Sequence, residues 1–127
     1  MIKFGTLGAA RITPAALIDP CKNNDNAMIS VVAARDRSRA EAFAREHEIA
    51  NVVDCYEDVI NHPDIDAVYN PLHIGLHHEW SIKALRAGKH VLCEKAIACN
   101  AKEAEEMAIV ARAVSYTHLT LPTNREV

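Results

Sequence analysis

Lys95 closes a short apolar run, His90-Val91-Leu92-Cys93, with Glu94 between them, in the stretch EKAIACN. A lysine where a strand ends can serve catalysis, or it can simply be solvated. Three earlier stretches also carry residues able to bind or react. Gly8-Ala9-Ala10-Arg11-Ile12-Thr13 lies between an apolar run and a helix signal. Ala34-Arg35-Asp36-Arg37-Ser38-Arg39 sets three arginines around one carboxylate. Asn70-Pro71-Leu72-His73-Ile74-Gly75-Leu76-His77 places two histidines four apart.

The first stretch approximates Gly-x-Gly-x-x-Gly, in which the backbone turns tightly against a dinucleotide pyrophosphate resting on a helix N-terminus. Here Ala10 replaces the second glycine and Thr13 the third, so the motif alone also fits an ordinary strand-to-helix turn. Its context, first strand into first helix with a second strand following, favours the dinucleotide reading. In the second stretch, an NAD site would normally show Asp or Glu at the strand end, to hold the ribose hydroxyls. Ala34 occupies that place and Arg35 comes next. Arginines here can grip a ribose 2′-phosphate, and Arg35 can stack on adenine. NADP is therefore favoured as cofactor, with Asp36 keeping NAD open. In the third stretch, Pro71 and Gly75 break the helix that would align His73 with His77, and no His-Glu-x-x-His order is present, so no metal site is expected. A loop covering the nicotinamide ribose fits better. Cys21, Cys55, Cys93 and Cys99 lack Cys-x-x-Cys spacing and read as free, reduced thiols of a cytoplasmic protein.

The elements that must position these loops follow from the apolar pattern. Ile2–Leu7, Met28–Ala34, Val52–Val53, Asp66–Asn70 and His90–Cys93 read as buried strands. Thr13-Pro14 reads as an N-cap with proline at the first helical position, and Asp19-Pro20 as the kink or end of that helix. Asp36 or Ser38 can cap a second helix through His47, with Ala40, Phe43 and Ala44 inward. Tyr56–Asn61 is a short helix. His77–Ala87 is another, with Trp80, Ile82 and Leu85 available for packing and Gly88 closing it. Asn100 with Glu103 resembles a capping box for a last helix to about Ala113. Strands and helices alternate throughout, which predicts an α/β fold: a doubly wound parallel sheet with ligands at the carboxyl ends of its strands.

Bulk properties narrow the function. The chain has 127 residues, 50% hydrophobic and 24% charged, which reads as one soluble globular domain. A net charge of −3 without a basic block argues against nucleic acid as a partner. No apolar run reaches membrane-spanning length, and the N-terminus has no signal-peptide layout.

Taken together, FGTLGAARITPAAL, VVAARDRSRAEAFA, DIDAVYNPLHIGLHHEWSIKALRAGKHVLCEK and NAKEAEEMA resemble the N-terminal domain of the glucose-fructose oxidoreductase / inositol dehydrogenase (Gfo/Idh/MocA) family. The likeness spans Ile2 to Ala113 and is strongest to a subgroup with NADP-dependent xylose and dihydrodiol dehydrogenases. The resemblance implies a Rossmann domain of an oxidoreductase that moves hydride between a nicotinamide and a sugar or related alcohol. It implies that Gly8, Ala10, Arg11 and Ile12 line the phosphates. Arg35, with Arg37 or Arg39 as helper, meets the adenosine ribose. Pro71, Leu72 and His77 border the nicotinamide half. Glu94-Lys95 is similar to the family's Glu-Lys-Pro, beside the nicotinamide, which implies a catalytic Lys95 that can donate a hydrogen bond to the reacting oxygen or tune a neighbouring base. Two departures stand out. Ala96 replaces the proline, which leaves that loop less constrained. His73-Ile74 replaces the usual Pro-Asn.

The resemblance also implies a second domain with the substrate pocket, and possible homo-oligomerisation through it. Residues 1–113 are expected to be the dinucleotide-binding domain, with its sixth strand missing. Val114 to Thr123 can be encoded by a string that reads like a transposon adapter used in library sequencing, so residues 114–127 are expected to be non-native. On this reading the fifth strand becomes a bare edge and the surface meant for the second domain is exposed. The chain would then be at best a weak cofactor binder, not a competent dehydrogenase. The competing readings are a stand-alone, non-catalytic dinucleotide-binding module and a doubly wound domain without a nucleotide.

Overall fold

The computed structural model describes residues 1–114 and the backbone of His118–Thr120. Six strands, β1 (Ile2–Leu7), β2 (Ala27–Ala33), β3 (Asn51–Val52), β4 (Ala67–Asn70), β5 (His90–Cys93) and β6 (His118–Thr120), form one sheet. All pairings are parallel, in the order β3-β2-β1-β4-β5-β6. This is the doubly wound sheet expected from the alternating pattern. One expectation changes. β5 is not a bare edge, because β6 pairs with it through Val91↔His118 and Leu92↔Leu119. The edge is instead a strand of 3 residues, half the length of β1.

Each face of the sheet has its own core. Leu17, Ile18, Val32, Phe43 and Tyr69 pack together on one face. Val31, Val59, Val68, Leu85 and Val91 pack on the other. Burial on both faces explains why the strands read as continuous apolar runs. A bulge lets β2 serve both cores. The register jumps from Phe4↔Ile29 to Gly5↔Val31, which skips Ser30. Ile29 and Val32, three apart, therefore face one core, while Val31 and Ala33 face the other.

The helices are α2 (Arg37–His47), α3 (Tyr56–Ile60), α4 (His77–Arg86) and α5 (Ala101–Val114), after a first helix in two parts. That first helix starts as a π-helical turn, Pro14–Ile18, and continues as α1, Asp19–Lys22. Pro20 thus changes the helical register rather than ending the helix. The widened turn relieves the clash that a proline ring makes with the carbonyl four residues back. Thr13 does not act as the expected cap. Its backbone is already helical and its buried hydroxyl makes no hydrogen bond. Asp36 is the cap of α2, accepting from Ser38 N–H at 2.9 Å. At α5, Glu103 N–H donates to Asn100 Oδ1 at 2.9 Å and the Glu103 carboxylate accepts from Cys99 N–H at 3.1 Å, a capping box shifted by one residue.

A groove of about 410 Å³ runs over β1, β4 and β5, lined by Ile2, Phe4, Asp66, Ala67, His90, Val91 and Leu92, with no helix in its wall. No helix among the described residues is long and apolar enough to cross a membrane.

Gly5 lets α3 sit close on β1. A Cβ there would lie 2.6 Å from Val59 Cγ1 and 2.9 Å from Ile65 Cδ1. Gly5→Ala is expected to cost about 1–3 kcal/mol through overpacking. Urea unfolding should show an earlier midpoint at an unchanged slope. An unmoved midpoint would mean that α3 can shift off β1 freely.

Candidate cofactor cleft and the lysine loop

The winding reverses between β1 and β4, so the loops leaving these strands diverge and open a crevice at their carboxyl ends. The cleft there measures about 200 Å³ and is walled by Gly8, Ala10, Arg35, Arg39, Tyr56 and Leu72, among others. Gly8 has φ +81°, a conformation that a side chain would strain. Its N–H donates to Ala33 O at 2.6 Å, which ties the first loop to the end of β2. A Cβ on Gly8 would also meet Leu72 Cδ2 at 3.2 Å. Beyond it, Thr13 N–H reaches Ala10 O at 3.3 Å and Ala16 N–H reaches Ile12 O at 3.0 Å, so a helical turn begins within the loop. Among the described residues, no hydrogen bond is donated by the N–H groups of Ala10, Arg11 or Ile12. Free amides at a helix start attract anions. Arg11 and Ile12 are exposed beside them.

At the end of β2, Ala34 is buried and Arg35 is exposed in the cleft wall. The companion guanidinium in that wall is Arg39. Arg37, one of the residues expected to hold cofactor, is committed elsewhere. It donates to Asp54, to Glu41 at 3.0 Å and to Val52 O at 3.5 Å, fastening α2 to the end of β3. Asp54 first, then Glu41, hold its charge more firmly than usual. Asp36, the carboxylate that kept NAD open, is occupied by Ser38 N–H and Oγ–H, which lower its pKa.

The third loop leaves β4 under the control of Asn70. The buried Asn70 amide donates to Ser81 Oγ at 3.1 Å and His77 O at 3.4 Å, and its oxygen accepts from Leu72 N–H at 3.2 Å. Pro71, Leu72 and His73 then line the cleft. His77 does not join them. It is buried at 1% exposure, with Nδ1 2.7 Å from Ala96 O and Nε2 2.6 Å from Leu72 O. Its place is between the third loop and the lysine loop, as a clasp. His73 Nδ1 accepts from Gly75 N–H at 3.2 Å, so the two histidines address different partners.

Lys95 is exposed, and both of its neighbours are anchored. Glu94 N–H donates to Asn70 O at 3.0 Å, and Ala96 O meets His77. The Glu94 carboxylate accepts a hydrogen bond from Tyr69. Burial, then this carboxylate, push the Tyr69 phenol far above its usual range. Asn70, Tyr69, Tyr56 and the clasping role of His77 were not read from the sequence. A tyrosine hydroxyl inside an apolar strand was the available signal, since such a group needs a partner when buried.

The strand order, the glycine turn at the reversal and the anion-accepting amides define a dinucleotide-binding Rossmann domain. A model of the oxidoreductase family with an NAD-binding Rossmann fold, Gfo/Idh/MocA, matches residues 2–119. The chain belongs to that family. It is 36% identical over 112 residues to a 1,5-anhydro-D-fructose reductase of Ensifer adhaerens, covering 88% of this chain and 33% of that protein. It is 38% identical over 100 residues to D-xylose 1-dehydrogenase (NADP(+)) 2 of Haloferax volcanii, covering 79% and 30%. A 3-ketoreductase from Actinomadura kijaniata, solved with NADP and TDP-benzene, superposes with a TM-score of 0.88 at 33% identity, over 94% of this chain and 36% of that one. The chain thus spans about a third of the length of the curated relatives it matches.

Cys93, at the root of the lysine loop, is fully buried, whereas Cys99 is exposed. Burial, with Glu94 adding and a bond to Ser81 opposing, pushes the Cys93 thiol from 9.0 up to about 11. The folded thiol holds its proton more tightly than the unfolded one. It therefore favours the fold below pH 9.0, and the benefit disappears as pH rises to about 11. Pulsed iodoacetamide at pH 8, about where free thiols begin to ionise, should modify Cys99 and spare Cys93 until urea is added. Early modification of Cys93, read by peptide mass, would contradict this packing.

Proposed function

We propose that this chain is the cofactor-binding part of an NADP-dependent oxidoreductase, which moves hydride between the nicotinamide and a carbon of a sugar or related alcohol. The observation that carries this reading is the end of β2. Arg35 and Arg39 face the cleft there, no carboxylate among the described residues lines that cleft, and Asp36 is used as a helix cap. The cradle at Gly8 supports it, since a methyl group there would crowd Leu72. So do the relatives whose names or ligands include NADP.

In this proposal Gly8, whose N–H is held by Ala33 O, turns the chain against the pyrophosphate, and Ala10, Arg11 and Ile12 hold it with their N–H groups. Arg35 and Arg39 hold the 2′-phosphate. Pro71 and Leu72 border the nicotinamide half, and His77 fixes their backbone from behind. The dinucleotide, once bound, supplies the hydride chemistry. Glu94, oriented by Tyr69, faces the cofactor. Lys95 donates a hydrogen bond to the substrate oxygen, which stabilises negative charge developing there and assists proton transfer. The substrate pocket belongs to a second domain of a longer parent. Two observations support that: the chain matches only a third of its relatives' length, and the strand groove of Ile2, Phe4 and Leu92 leaves apolar surface open. Alone, the chain is expected to bind cofactor without turning over substrate.

Titrating the 127-residue chain with NADPH and NADH, read by cofactor fluorescence, tests the reading. NADPH should bind more tightly, and increasingly weakly as salt rises. Arg35→Ala should remove charge-assisted hydrogen bonds of about 1.5–3 kcal/mol, roughly ten- to hundredfold in Kd for NADPH. Equal binding of the two cofactors, unaffected by Arg35→Ala, would overturn it.

A further inference from the structure

Tyr56 opens α3 at the carboxyl end of β3 and forms part of the cleft wall, with Arg35 and Arg39. Its ring is fixed. It stands edge-on to Trp80, with centroids 5.1 Å apart and planes at 86°. Trp80 is itself buried, with the Lys83 ammonium 4.3 Å from its ring centre. A rigid aromatic contact of this kind leaves the hydroxyl little freedom to choose its position. That hydroxyl lies against the glycine turn, 3.8 Å from where a Cβ on Gly8 would be. Among the described residues no hydrogen bond engages it. Toward this cleft its neighbours include two guanidinium groups, Leu72, Ala34 and His73, while Asp54 and Glu57 stand with it in an adjoining groove. Guanidinium groups donate and cannot accept. No carboxylate among the described residues lines the cleft itself, so an anion bound there would supply the acceptor.

We propose that the Tyr56 hydroxyl is the third donor of the adenosine 2′-phosphate site, beside Arg35 and Arg39, and that it helps set the preference for NADPH over NADH. This rests on the reading that the cleft holds NADP. The phenol suits the task. Burial raises its pKa more than Arg35 and Arg39 lower it, so it keeps its proton and donates. A 2′-phosphate presents several acceptor oxygens, enough for two guanidinium groups and one hydroxyl together.

Tyr56→Phe removes the hydroxyl and keeps the ring on Trp80. The Kd values of NADPH and NADH should be measured for the wild-type chain, Tyr56→Phe and Arg35→Ala, with Trp80 emission and thermal melting as controls for the fold. Tyr56→Phe should weaken NADPH roughly tenfold, as for a lost bond to a charged group, and leave NADH unchanged. An equal loss for both cofactors would assign the hydroxyl to packing or the shared pyrophosphate and overturn the proposal. So would no loss for either, when Arg35→Ala still weakens NADPH. If the wild-type chain binds no NADPH, or Arg35→Ala is also silent, the cleft reading itself falls, and this proposal with it. Should Tyr56→Phe melt early, Tyr56→His, which restores a ring with a donor, must recover part of the NADPH preference, or the proposal fails.

Discussion

Gly8 turns the chain with φ +81°, and Leu72 and Tyr56 press against the side where a Cβ would grow. Three separate elements therefore meet at a residue with no side chain: the end of β1, the loop after β4 and the start of α3. The meeting point sits where the winding of the sheet reverses, so the loops on either side are carried apart and leave a cleft. A side chain at Gly8 would do more than strain the backbone. It would also crowd the Leu72 side chain, which walls the cleft.

A second set of constraints holds the other end of the cleft. Asn70 is buried at the tip of β4, and its amide reaches Ser81, the backbone of His77 and the N–H of Leu72. His77 then joins the carbonyls of Leu72 and Ala96. Tyr69 holds the carboxylate of Glu94, and Asn70 O holds its N–H. Ala96 leaves the lysine loop without the constraint of a proline, and these side chains supply anchorage on both sides of Lys95. Buried polar groups that bond to one another and to the backbone give a loop a definite shape; such networks are costly when one member is lost.

Five strands and their alternation with helices were legible because both faces of a parallel sheet are buried, and five apolar runs separated by turn signals leave few alternatives. What the pattern could not give was which charged residue faces the cleft. Residues two apart on a helix point about 200° apart at 100° per residue, so Arg37 and Arg39 cannot share a target. The choice between them depends on Asp54, which only the folded chain brings beside Arg37. The clasp made by His77 was not legible for a similar reason: its partners, Leu72 O and Ala96 O, are backbone groups that no side-chain pattern announces. The π-helical turn before Pro20 and the skipped Ser30 in β2 are local adjustments, set by a ring clash and by packing, and neither has a distinct signature in residue type. The short β6 fell within the segment read as non-native, where apolar character alone could not decide for a strand.

The central claim is that the crevice between β1 and β4 is a dinucleotide site. Amide chemical shifts recorded during titration with NADPH test it most directly. The account predicts the largest shifts at Gly8–Ile12, Arg35 and Leu72. No shift at saturating cofactor would contradict it. So would shifts gathered at Ile18, Cys21, His47 and Ile49, which line a separate groove near the start of β2.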